Sequence, residues 1–233
     1  MTAAAARPRV PCPPVAADLV IASTAGVAGV AMAANWWSRV ATGDRARRLE
    51  LWSKPLATVA IGTLGLLVAG DDVSATALVA AAVGFVLCLG GDVALMPVVD
   101  RFVLGLASFL AGHLAFVVMF VLLGLDRWWL GLVALVLAVG VATLLGRPIV
   151  AGAHRQDPGL VRPVQAYLTI ISSMAVVGWA TGRPAAIAGS ALFVASDSVL
   201  GWRQFVAERR WMSLVVMVTY HGALIGLALS LAG

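Results

Sequence analysis

Apolar residues fill this chain in long runs that are separated by short polar segments. Most runs are about 20 residues long, which is the length that an α-helix needs to cross the hydrocarbon core of a bilayer. Because lipid offers the backbone no hydrogen-bond partners, each run should be helical. We predict eight spans, at residues 16–37, 54–70, 73–96, 102–124, 128–146, 161–181, 184–202 and 211–232.

The overall composition agrees with a protein that lies mostly in lipid. Of the 233 residues, 61% are hydrophobic and 12% are charged, and the mean hydropathy is +0.98. A soluble domain carries about 25% charged residues. We predict an all-α, polytopic helix bundle that forms a single transmembrane domain over residues 16–233, after a flexible Pro-rich tail over residues 1–15. The first apolar run is too long for a signal peptide and should remain as a span.

The basic residues divide unequally between the two sets of predicted loops. Four fall on one side, at Arg7, Arg9, Arg127 and Arg183. Twelve fall on the other, at Arg39, Arg45, Arg47, Arg48, Lys54, Arg101, Arg147, Arg155, Arg162, Arg203, Arg209 and Arg210. The positive-inside rule places the larger set in the cytoplasm and both termini on the non-cytoplasmic side.

This distribution also explains the net charge of +5. Because the basic residues serve as topology signals, we predict no nucleic-acid partner. Fifteen of the sixteen basic residues are arginines. That bias, with many Ala, Val and Gly residues, is typical of a GC-rich bacterial genome. We therefore predict a multi-pass protein of the bacterial cytoplasmic membrane and leave its oligomeric state open.

Two aspartates stand inside apolar runs, Asp92 in "VLCLGGDVALM" and Asp197 in "ALFVASDSVLGW". A carboxylate at mid-membrane costs about 2.5–3.5 kcal/mol on insertion scales, so such residues are often functional. The predicted topology places both in the cytoplasmic half of the bilayer. Five other polar residues share that depth, namely Lys54, His113, Tyr167, Tyr220 and His221. A common depth predicts one polar cavity that opens toward the cytoplasm.

A structural alternative exists for each of these residues. Asp92 could form a helix-end ion pair with Arg101, and Asp197 could form one with Arg203. His113 could be a hydrogen-bonded packing residue, since an isolated intramembrane histidine is more often that than a catalyst.

Six sequence blocks together resemble the YhhN-like lysoplasmalogenases. They cover about residues 50–232 and occur in the order and spacing of that family: "KPLATVAIGTL", "GDVALM", "FVLGLASFLAGHLAFVVMF", "RPVQAYLTIISSM", "SDSVLGWRQF" and "TYHGALIGLALS".

The resemblance implies an eight-span membrane hydrolase without a cofactor. Its implied substrates are lysoplasmalogens (lysoplasmenylethanolamine or lysoplasmenylcholine), whose vinyl ether bond is cleaved to a fatty aldehyde and a glycerophospho-alcohol. The implied catalytic pair is Asp92 and Asp197. The chain departs from the family in the last block, where His221 and Leu224 stand in place of a usual Tyr and Gln.

Two carboxyl groups suit this reaction. A protonated carboxyl donates a proton to the vinyl carbon, and an ionised one steadies the oxocarbenium ion and orients water, as in glycoside hydrolysis. We predict that Asp92 and Asp197 face one cavity, with Lys54 at its cytoplasmic rim. Lys54 and Arg203 are the predicted phosphate ligands. The full predicted substrate-binding set is Lys54, His113, Tyr167, Ser196, Arg203, Tyr220 and His221.

Two other function classes remain open. A zinc-dependent membrane hydrolase could use Asp92, His113, Asp197 and His221 as ligands. A lipid-binding or transport protein could use the aspartates as proton or substrate sites.

Overall fold

The computed structural model describes residues 14–232, which are helical throughout apart from short connections. This confirms the predicted all-α class. Nine α-helices can be numbered in these residues: α1 (Pro14–Val40), α2 (Asp44–Leu67), α3 (Ala75–Ala94), α4 (Phe102–Leu123), α5 (Trp128–Val141), α6 (Arg147–Gln156), α7 (Val161–Ala180), α8 (Pro184–Phe205) and α9 (Arg210–Leu229). A 3₁₀ turn, Pro158–Leu160, precedes α7.

A π-helical segment, Ala142–Gly146, joins α5 and α6 into one continuous helix. The described residues therefore contain eight helical rods, in the order of the eight predicted spans. Seven of them are long and apolar enough to cross a membrane. The remaining rod, α2, carries six charged residues between positions 44 and 54. The chain is a multi-pass membrane protein.

Two predicted boundaries differ from the structure. Helix α2 begins at Asp44, ten residues before the predicted span, because the basic segment Arg45–Arg48 is helical and not a loop. Gly43, with φ 95°, forms the tight entry to this helix. The predicted tail over residues 1–15 falls outside the described residues except for its last two positions, which begin α1.

Small residues allow helices α3 and α4 to pack closely. A Cβ atom on Gly91 would lie 2.5 Å from the Phe109 ring, so only glycine lets the two helices approach this far. The Ser108 hydroxyl donates a hydrogen bond across the same interface to the Leu87 carbonyl, at 2.7 Å. This packing fixes the end of α3 that carries Asp92 relative to α4.

Helices α8 and α9 cross at a pair of facing glycines. A Cβ atom on Gly189 would lie 2.8 Å from the backbone carbon of Gly226. The close crossing fixes the position of α8, which carries Asp197, relative to α9, which carries Tyr220.

The rods alternate in direction, so the connections fall at two ends of the bundle. At one end Arg183 contacts both Asp72 and the Ser230 carbonyl, with distances of 3.3 and 3.0 Å. The other end, named here the basic end, holds the α1–α2, α3–α4, α6–α7 and α8–α9 connections. The candidate site lies at the basic end.

Candidate active site

A cavity of about 100 Å³ lies at the basic end. Helices α1, α2, α3, α4, α8 and α9 supply its walls. The lining residues are Arg39, Glu50, Lys54, Asp92, Leu95, Phe109, Ser196, Asp197, Leu200, Arg203, Ser213, Val216, Met217 and Tyr220. The fold thus brings Asp92 and Asp197, which are 105 positions apart in the chain, to the wall of one cavity.

Asp92 is fully buried and is held by three side chains. Its Oδ2 atom accepts hydrogen bonds from the Thr58 hydroxyl at 2.6 Å and from the Tyr220 hydroxyl at 2.8 Å. Its Oδ1 atom lies 3.3 Å from Lys54 Nζ. Since Oδ1 has no aligned hydrogen bond within the described residues, it keeps acceptor capacity beyond its contact with Lys54.

Lys54 occupies a different place from the predicted one. Its side chain is 8% exposed, and its ammonium group also donates to the Asp92 carbonyl at 3.2 Å. It is therefore an internal partner of Asp92 and not a residue of the cavity rim. The ion pair has a local cause: Asp92 lies two residues before the end of α3, where the helix dipole disfavours a negative charge and a cation offsets it.

Asp197 has a less charged environment. Its Oδ2 atom accepts a short hydrogen bond from the Tyr167 hydroxyl, and His113 Nε2 lies 4.0 Å from the same oxygen. Within residues 14–232, no lysine or arginine forms an ion pair with this carboxylate. The two aspartates therefore differ in kind, because only Asp92 has a fixed cation.

His113 and Tyr167 stand beside Asp197 and do not line the cavity. The His113 ring is fully buried and makes edge contacts with Phe193, at 4.5 Å between ring centroids, and with Tyr167, at 5.4 Å. They support the carboxylate from the protein side, which differs from the predicted placement of both side chains in the pocket wall. Of the three predicted aromatic lining residues, Tyr220 lies in the wall.

His221 also lies outside the cavity lining. Its Nδ1 atom accepts a hydrogen bond of 2.9 Å from the Trp36 indole, and its ring packs against both Trp36 and Tyr220. The neighbouring family departure, Leu224, is fully buried in the core. Both departures therefore concern helix packing next to the site.

Ser196 and Arg203 line the cavity and are already engaged by protein groups. The Ser196 hydroxyl donates to the Val216 carbonyl at 3.0 Å, which ties α8 to α9. Arg203 donates from Nε and Nη2 to one Glu208 oxygen, at 2.9 and 2.6 Å.

The helix-end ion pairs considered for the two aspartates are wrong. Asp92 pairs with Lys54 instead of Arg101. Arg203 pairs with Glu208 instead of Asp197.

Sequence reasoning missed several polar residues of the site, among them Thr58, Arg39 and Glu50. Thr58 follows Lys54 by four positions and so shares its helix face, a signal that could have identified it. Arg39 and Glu50 form an ion pair of 2.9 Å in the cavity wall. The sequence identifies Arg39 only as a topology charge, because nothing local in it shows that α1 packs against the site.

The described residues offer no metal cage. Within residues 14–232, no group of three or more His, Cys, Asp or Glu side chains is close enough to hold a metal ion. The four candidate zinc ligands are separated, since His221 faces Trp36 while His113 lies beside Asp197.

Comparison with known proteins places the chain in a family. Three relatives are named lysoplasmalogenase TMEM86B: the rat protein is 42% identical over 74 residues (32% of this chain, 31% of the relative), the human protein 33% over 129 residues (55% and 53%), and the pig protein 31% over 149 residues (64% and 62%). The aligned regions thus span about one third to three fifths of these relatives. No solved structure matches significantly. The pattern of the YhhN family matches residues 49–231, so the chain belongs to the YhhN family.

Proposed function

We propose that this protein hydrolyses the vinyl ether bond of lysoplasmalogens, releasing a fatty aldehyde and a glycerophospho-alcohol. The observation that carries the proposal is the meeting of Asp92 and Asp197 at one cavity. The relatives named lysoplasmalogenase support the same reaction. We place the protein in a bacterial cytoplasmic membrane with eight spans, both termini outside and the cavity open to the cytoplasm.

The reaction begins with proton transfer from a carboxylic acid to the vinyl carbon that is not bonded to oxygen. This step leaves an oxocarbenium ion on the ether carbon. Water adds to that carbon and gives up a proton to the carboxylate pair, which restores the starting protonation state. The resulting hemiacetal then collapses to aldehyde and alcohol, with no net gain or loss of protons.

Of the two aspartates, Asp197 is better suited to hold a proton and act as the general acid. A carboxyl group in apolar surroundings without a paired cation favours its neutral form. Phe193 packs beside the His113 ring that adjoins Asp197, and the Tyr167 hydroxyl occupies Oδ2. Oδ1 is then the oxygen that carries the proton toward the substrate.

Asp92 is better suited than Asp197 to act as the ionised carboxylate. The Lys54 ammonium group compensates its charge, and hydrogen bonds from Thr58 and Tyr220 fix the orientation of the carboxylate. Such a preorganised negative group stabilises a developing cation without having to reorient. A lone pair of Oδ1 that the Lys54 contact leaves unused is available to orient the attacking water.

The cavity admits only part of the substrate. Its volume of about 100 Å³ is below the roughly 300–1,000 Å³ of sites that enclose drug-sized ligands. We expect the glycerol backbone and the vinyl ether to enter it while the hydrocarbon tail remains between helices.

A groove between α2 and α3 offers a path for that tail. Its volume is about 150 Å³, and it begins at Thr58, the residue that binds Asp92. It continues past Gly62 and Leu66 on α2, and past Phe85 and Leu89 on α3. A tail in this groove would place its first carbons near Asp92 and its end in the bilayer core.

The test is turnover by the purified full chain in detergent. Aldehyde release from lysoplasmenylethanolamine is compared with release from the 1-O-alkyl analogue, whose saturated ether cannot be protonated at carbon. We expect cleavage of the first lipid alone, with no loss of rate after chelator treatment. Asp126→Asn, at an exposed position of the opposite end, serves as the matched control for aspartate replacement.

Two other outcomes of this assay would support the two alternative function classes. Binding of lysolipids without any aldehyde release would favour a lipid-binding or transport protein. Loss of turnover with chelator, and its return with zinc, would favour a metal-dependent hydrolase.

A further inference from the structure

An ion pair forms the outer wall of the cavity. Arg39, one residue before the end of α1, lies with Nη1 2.9 Å from Oε1 of Glu50, which belongs to the second turn of α2. Both side chains are 13% exposed. Glu50 precedes Lys54 by one helical turn, so the pair lies nearer the basic end than the Lys54–Asp92 pair.

Arg39 keeps a donor that the protein does not satisfy. Its Nη1 atom pairs with Glu50, and its Nη2 atom contacts Met217 Sδ at 3.4 Å, although a thioether is a weak acceptor. Its Nε atom is buried and has no hydrogen-bond partner within the described residues. A buried cationic donor without an acceptor is costly, and an anion in the cavity would relieve that cost.

The other two cations of the cavity wall have less free capacity. The ammonium group of Lys54 is held by Asp92, and the guanidinium of Arg203 is bound through two nitrogens to Glu208. The side chain of Arg203 is also 35% exposed, so water competes for its remaining donors. Arg39 is therefore better suited to bind a phosphate than the two residues that the sequence predicted.

We propose that Arg39 and Glu50 select a zwitterionic phospho-amine head group, an inference that rests on the proposed lysoplasmalogen substrate. The pair opens when substrate enters; Arg39 then binds the phosphate and Glu50 binds the ammonium group. One ion pair becomes two, and no net charge enters the partly buried site. An anionic phosphoglycerol head group would occupy Arg39 and leave Glu50 without a cation, so it is disfavoured.

This selector lies partly outside the region that defines the family. The family pattern matches residues 49–231, whereas Arg39 belongs to the preceding helix α1. Helix α1 reaches the site because it packs along α2 and contacts α9.

The experiment compares head groups in the full chain. The ratio of kcat/KM for 1-alkenyl lysolipids with phosphoethanolamine and phosphoglycerol head groups is measured for the wild type and for Glu50→Gln. We expect the wild type to prefer the zwitterion by about tenfold or more, and Glu50→Gln to lose most of that preference. Asp72→Asn, which removes the acidic partner of Arg183 at the opposite end, should leave the ratio unchanged.

A binding measurement separates this inference from the proposed reaction. The saturated 1-O-alkyl lysolipids with the same two head groups cannot be hydrolysed, and their dissociation constants are measured on the same variants. Selective binding that depends on Glu50, without any vinyl ether cleavage, would support head-group selection and contradict the proposed hydrolysis. Turnover with an unchanged head-group ratio in Glu50→Gln would support the hydrolysis and contradict head-group selection by Glu50.

A second variant covers the case in which Glu50→Gln fails to fold because Arg39 is left unpaired. The double variant Arg39→Gln/Glu50→Gln leaves no lone charge in the wall. It should fold, and its kcat/KM values for the two lipids should agree to within about threefold, since neither charge remains. A double variant that keeps the wild-type preference would overturn the selector.

Discussion

Lys54 and Asp92 form a buried ion pair between helices α2 and α3, with 3.3 Å between Nζ and Oδ1. The charge on each residue makes burial of the other's charge less costly. A lone carboxylate at this depth near the end of α3 would be opposed by the helix dipole and by desolvation, and a lone ammonium group would face the same desolvation. The pair thus links the packing of the bundle to the charge state of the candidate site.

Breaking this pair should destabilise the protein. We expect Lys54→Met to lower the free energy of unfolding by about 3–5 kcal/mol, because it leaves Asp92 charged and unpaired. Asp92→Asn in the Lys54→Met background should restore much of that loss. Thermal unfolding in detergent measures both, with Asp72→Asn as the exposed-pair control, which should change stability by about 0–1 kcal/mol. Equal losses in the single and the double variant would contradict a direct coupling.

Each aspartate should be required for turnover. We expect Asp92→Asn and Asp197→Asn to insert and fold but to lose vinyl ether hydrolysis by at least about a hundredfold, since Asn keeps the volume and removes the proton chemistry. Rates of aldehyde release, with gel filtration to verify folding, test this. A variant that keeps a rate near that of the wild type would show its aspartate to be structural.

The two tyrosines that bind the aspartates should differ in importance. Tyr167→Phe removes the one phenol bound to Asp197, and we expect kcat to fall by about 10- to 100-fold. Tyr220→Phe should have a smaller effect, about fivefold or less, because Thr58 and Lys54 still hold Asp92. The comparison requires kcat for both variants on the same substrate. A larger loss in Tyr220→Phe would reverse the roles assigned to the two carboxyl groups.

The orientation in the membrane can be tested with cysteine labelling. Thr42, in the α1–α2 connection, and Asp71, in the α2–α3 connection, are both exposed and lie at opposite ends. In a background without Cys12 and Cys88, Thr42→Cys should be shielded from an impermeant thiol reagent in intact cells, and Asp71→Cys should react.

The opposite labelling pattern would place the basic end outside the cell. It would also remove the proposed cytoplasmic opening of the cavity.

The class of the protein and the order of its rods can be predicted from the amino-acid sequence alone. Runs of apolar residues about 20 long leave the backbone no option in lipid but to form helices, so the eight helical rods could be predicted. Helix boundaries were less predictable at α2, because a charged segment such as Arg45–Arg48 can continue a helix beyond the bilayer. Asp92 and Asp197 were also identifiable, since a carboxylate in an apolar run is conspicuous.

The partners of those residues depend on how the helices pack. Sequence distance favoured Arg101 for Asp92 and Arg203 for Asp197, whereas packing supplied Lys54 and Tyr167, which lie 38 and 30 positions away. Close approaches between glycines, as at Gly189 and Gly226, set which helix faces meet, and short-range sequence patterns do not encode that choice. Arg39 is an example. In the sequence it is recognisable only as a topology signal, but it becomes part of the cavity wall because α1 packs beside α2.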